Sequence, residues 1–172
     1  MRTSFVALLN LAVVGVLSRP VSLACDSEGT APRFADYPVV TIYSGPAHAV
    51  DLASDPRARR FRTRLREGAT SPPNFAGHYK LIQWGCGTSC QETAIVDLVS
   101  GRVFFAAGSL VGVDHRADSA LLVVNPASAI PRTEDGSAQP PGYHIRSYYY
   151  RWEEKEKTLL PVTTDDPDGF PK

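Results

Sequence analysis

Long apolar runs are scarce in this 172-residue chain, and the one that stands out, Phe5 to Leu17, covers only 13 positions. A helix that crosses the hydrocarbon core needs about 20 apolar residues, so no permanent membrane anchor is expected. Net charge is lacking too, with 18 basic and 18 acidic side chains. So even a balance argues against nucleic acid and against an anionic membrane as partners. Cysteine is limited to Cys25, Cys86 and Cys90, an odd number that permits at most one internal bridge. Cys86 and Cys90 find no His-x3–5-His pair to complete a zinc site, and they are not the Cys-x-x-Cys at a helix start that a redox dithiol uses. No unit repeats along the chain, which excludes a propeller although Asp114 to Ser119 resembles a propeller turn. No segment calls for a cofactor.

The amino terminus is organised for export. Met1-Arg2-Thr3-Ser4 carries one positive charge ahead of the apolar run, Ser18-Arg19-Pro20 ends it, and Ser22-Leu23-Ala24 supplies the small residues a signal peptidase reads. Residues 1–24 are therefore expected to be removed, leaving 148 residues, about one domain, with 16 basic and 18 acidic side chains. Cys25 directly after the cut is the candidate lipidation site of a second reading, a membrane-anchored lipoprotein. Against that reading, Ser22 stands where such cleavage boxes carry Leu, and Arg19 places a charge just upstream.

Residues 25–37 read as a loose lead-in, residues 38–164 as a single domain and residues 165–172 as a frayed tail. Val39 to Tyr43 is a β-branched run fit for a strand. Asp55-Pro56 then opens a helix that Gly68 closes after Glu67. Within it Ala58, Phe61 and Leu65 form one apolar stripe, and Arg57, Arg59, Arg60, Arg62, Arg64 and Arg66 fill the remaining surface as a solvated or anion-binding face. Further strands are expected over 78–84, 93–99, 102–106, 119–124, 143–152 and 158–162. Ser100-Gly101 and Glu153 to Lys157 serve as hairpin turns, and Pro126 to Gly142 is an irregular excursion. The order predicts an α+β domain, an antiparallel meander sheet of about five to six strands packed against one helix.

The most distinctive segment joins Asn74-Phe75-Ala76-Gly77-His78-Tyr79 to Trp84-Gly85-Cys86-Gly87-Thr88-Ser89-Cys90-Gln91. It resembles a group of small exported bacterial proteins of unassigned function that share an Asn-Phe-Ala-Gly-His-Tyr stretch and a Trp-Gly-Cys-Gly-Thr-x-Cys loop. That resemblance implies no catalytic residue. Read from the residues, Gly85, Gly87, Thr88 and Ser89 interrupt an apolar run with a tight turn, which can bring Cys86 and Cys90 within disulfide reach. A stiffened, exposed tip suits recognition, because ordering a loop in advance lowers the entropic cost of binding.

Trp84, Gly85, Gly87, Thr88, Ser89 and Gln91 are thus the candidate binding residues, and Cys86 with Cys90 the candidate disulfide. The leading function is an exported, non-catalytic protein that binds, and by binding can inhibit, an unidentified macromolecule of the cell envelope or outside. The membrane enters only if Cys25 is lipidated. The alternative is a thiol-dependent enzyme of the same compartment, with His78, His115 or His144 as base. A last candidate surface is the strand 143–152, where alternation puts His144, Arg146, Tyr148, Tyr150 and Trp152 on one face. That face is a stacking platform if exposed and core if buried.

Overall fold

The structure is a computed structural model that describes residues 31–132 and 145–162. The expected signal segment, Cys25, His144 and the tail lie outside the described residues. In the unit that begins at residue 31, helix α1 (Arg62–Gly68) precedes seven strands: β1 (Tyr79–Gly87), β2 (Cys90–Asp97), β3 (Val103–Phe105), β4 (Val113–His115), β5 (Leu121–Val124), β6 (Tyr148–Glu153) and β7 (Thr158–Pro161). The α+β class stands. The single sheet of about five to six strands does not: among the described residues there are seven strands, the unexpected one being β4, and β1-β2-β3 form one antiparallel sheet and β4-β5-β6-β7 a second.

Both faces of the first sheet are covered, which is why β2 is buried continuously from Thr93 to Asp97. On one face Tyr79, Leu81 and Ile95 meet Leu122, Val124 and Trp152 of the second sheet. On the other, Trp84, Ala94, Val96 and Val103 meet Ala58, Leu65 and Ala69 around α1. Two-residue alternation sorts each strand between these clusters. Trp152 is buried within the inter-sheet cluster and the half-buried Tyr148 and Tyr150 pack against it, so these aromatics serve chiefly as core, while Arg146 on the same face is exposed.

Three local readings change. Val39 to Tyr43 belongs to no sheet and bends at Val40: backbone N–H groups are held at Val39 (to Asp118 O, 2.8 Å) and Tyr43 (to Gly77 O, 2.9 Å), and Val40 is 99% exposed. The helix is shorter than expected. Asp55 caps by accepting the Arg57 N–H at 2.8 Å, but Ala58, Arg60 and Phe61 bond three residues back, and the four-residue spacing starts only with Leu65 N–H to Phe61 O. The end of the lead-in is fastened: a short 3-10 helix, Phe34–Asp36, lies under Ser119, whose hydroxyl donates to Phe34 O and Tyr37 O.

Candidate functional site

The stretch Asn74 to Tyr79 sets the start of β1. Asn74 holds Leu81 at both ends of its amide, accepting from the backbone N–H at 2.7 Å and donating to the carbonyl at 3.1 Å. Ala76 and Gly77 both take positive φ, 41° and 82°. Glycine is required at 77, because a Cβ there would lie 2.7 Å from Thr41 O. This motif is a built turn that aims β1 along the sheet.

At the far end of β1 lies the hairpin tip. Strand pairing continues to Gly85 with Gln91 and Gly87 with Cys90, with Cys86 bulged between. The turn is Thr88-Ser89, entered from Gly87 at φ 147° with Ser89 at φ 50°. Cys86 and Cys90 are joined by a disulfide, their Cα atoms 5.2 Å apart. Gly85 to Cys90 are all exposed and Gln91 half-buried. Gln91 and Ser109 exchange backbone hydrogen bonds of 2.8 and 2.9 Å, and Gln83 Nε2 donates to Ser109 Oγ at 3.1 Å. The tip therefore stands on a braced base, with Leu110, 44% exposed, on the bracing loop.

Trp84 does not belong to the exposed surface. At 6% exposure it is buried, with its ring 4.8 Å from Phe61 and 6.3 Å from Phe105. Trp84 shares the face of Ile82 toward α1, so it anchors the tip and offers nothing to a partner.

Of the candidate bases, His78 is eight strand positions from Cys86, about 26 Å at 3.3 Å per residue. It belongs to another cluster: its Nε2 lies 3.7 Å from both Asp97 Oδ1 and Glu154 Oε1. His115 is on β4, its pKa lowered mainly by burial, with the Asp114 charge opposing. Cys86 and Cys90, bonded to each other, hold no thiolate for either His to activate.

The cluster around His78 is one that sequence reasoning did not find. Tyr79 Oη donates to Glu154 Oε2 at 2.8 Å and accepts from Lys157 Nζ at 2.7 Å, Trp152 Nε1 donates to Glu154 Oε2 at 3.1 Å, and Lys157 also reaches Glu154 Oε1. Burial pushes the Tyr79 phenol up to about 12, with the Lys157 contact opposing. Burial alone would raise Glu154, but the hydrogen bonds from Lys157, Tyr79 and Trp152 hold it below the usual carboxylate range. These groups satisfy one another, so the cluster clamps the β6–β7 turn onto β1. No family model, characterised protein or solved structure matches the chain.

Proposed function

We propose that this chain is an exported, non-catalytic protein that binds a macromolecule of the cell envelope or outside it through the disulfide-closed tip, Gly85 to Gln91. The reading rests on one observation above the others: both sulfurs are bonded to each other at an exposed hairpin end. Preorganisation supplies the physical advantage. A closed five-residue ring on a braced base has little freedom left to lose on contact, so more of the contact energy appears as affinity. Where the partner is an enzyme with an open cleft, a projecting tip of this kind blocks it. Export follows from residues 1–24, and attachment to a membrane only from acylation of Cys25.

Affinity capture from envelope extracts tests the reading, with the mature protein as bait beside a Cys86→Ser/Cys90→Ser variant. The expected result is a partner that the parent retains and the variant loses at lower stringency. Equal retention by both baits, or none by the parent, would contradict it.

A further inference from the structure

The ten residues from Arg57 to Arg66 hold six arginines and no acid. Their apolar members turn inward, Ala58 and Leu65 fully buried and Phe61 packed on Trp84 and Phe105, so every arginine is left exposed. Arg57 has a carboxylate partner, Asp55 at 3.5 Å. Among the described residues, no carboxylate lies within ion-pair distance of Arg59, Arg60, Arg62, Arg64 or Arg66. Like charges three and four positions apart repel one another.

The guanidinium groups are also placed. Arg57 lies 4.1 Å above the Phe105 ring, Arg60 5.5 Å from Phe61 and Arg64 5.9 Å from Trp84. Arg62 reaches back to the Arg59 carbonyl at 3.5 Å, and Arg66 follows one α-helical turn after Arg62, so chain spacing puts Arg59, Arg62 and Arg66 in one row. Where that row ends, a cleft of about 380 Å³ is lined by His48, Val50, Arg66, Ala69 and Thr70.

We propose that this face binds a flexible, phosphate-bearing polymer. All six cations are arginine, whose planar fork matches the oxygens of a phosphate two at a time. A linked phosphate keeps two unshared oxygens on a tetrahedral centre, whose lone pairs are not confined to one plane as those of a carboxylate are, so it can bridge neighbouring forks in the row. Five guanidinium groups without a carboxylate partner need several linked anions. A bilayer would need apolar side chains to insert, and those of Arg57 to Arg66 are turned to the core, Ala58 and Leu65 buried and Phe61 half-buried. The proposal stands apart from the tip, which carries no charged residue from Gly85 to Gln91.

The test titrates labelled inorganic polyphosphate into the full exported chain over a range of salt concentrations. Affinity should fall linearly with salt on logarithmic axes. The triple variant Arg59→Gln/Arg62→Gln/Arg66→Gln should bind about a hundredfold more weakly, with a salt slope smaller by about two. The matching triple Arg→Lys variant, which keeps the charge and removes the forks, should lose about tenfold. Polyphosphate should raise the melting temperature of the parent and not that of the Gln triple, which also shows that the triple is folded. The Cys86→Ser/Cys90→Ser variant should bind polyphosphate as the parent does, which separates this face from the tip. Four outcomes would overturn the proposal: no binding at low salt, unchanged binding by the Gln triple, equal binding of charge-matched polyglutamate, or preference for vesicles of equal parts phosphatidylcholine and phosphatidylglycerol.

Discussion

Tyr79 holds two sheets together through one hydroxyl, and its titration should be visible in the stability of the whole domain. Its folded pKa of about 12 lies above the ordinary 10.0, so between those values the folded chain keeps a proton that the unfolded chain has released. Stability must then fall as pH rises across that window. Lys157 adds to the fall: burial would lower it, but the hydrogen bonds to Glu154 and Tyr79 raise it above 10.5, so its contribution is complete below that value and lost above its folded pKa. Glu154, held low, contributes above about 4.5 and fades as the pH drops through its folded value. Urea midpoints should therefore decline above pH 10, and Tyr79→Phe should decline less than the parent between 10 and 12. Parallel declines would show that the phenol titrates as it does unfolded. This clamp was not legible in the sequence, because Tyr79 and Lys157 stand 78 positions apart and Glu153 to Lys157 reads as any solvated turn. Trp84 was legible, since it shares the parity of Ile82 on the core face, but the glycine after it drew it into the tip.

At the scale of elements, composition identified every strand but β4, because these depend on local alternation and turn residues; the expected two-residue turn at Ser100-Gly101 is instead a four-residue loop, Leu98 to Gly101, closed between Asp97 and Arg102. Composition misjudged Val39 to Tyr43, where β-branched residues are present and a pairing edge is not, and strand propensity cannot supply a partner. The turn at Ser100-Gly101 is set by the backbone. Gly101 has φ 78°, and a Cβ there would overlap the Ala49 carbonyl oxygen, whereas a Cβ at Gly85 would meet nothing within 4 Å. Gly101→Ala should cost more than about 2 kcal/mol and Gly85→Ala no more than about 0.5, read from denaturant melts. Equal costs would mean that the β2–β3 turn is wrong. The tip bridge closes a ring of five residues, for which loop entropy gives about 2 kcal/mol. Cys86→Ser/Cys90→Ser should thus lose about that much and remain folded within a typical total of roughly 5 to 15 kcal/mol. An unfolded variant would make the bridge a fold determinant instead of a tip constraint.

For the whole molecule, the sequence carried the class but not the division into two sheets. The pattern of a meander is the same whether Ala106 to Gly112 continues one sheet or crosses to another. The clue lay in β2 and β5, whose consecutive buried residues require cover on both faces. The proposed export is tested on the intact chain: the mass of the mature protein should correspond to a start at Cys25, with diacylglycerol added if it is a lipoprotein, and a mass retaining residues 1–24 would refute the signal peptide. The most direct test of tip recognition is a photo-crosslinking side chain at Thr88, with Val99, 44% exposed at the opposite end of β2, as the control site. Tip recognition predicts a dominant macromolecular adduct from Thr88, weaker in the Cys86→Ser/Cys90→Ser background and not formed from Val99. Equal adducts from both sites, or none from Thr88, would contradict it.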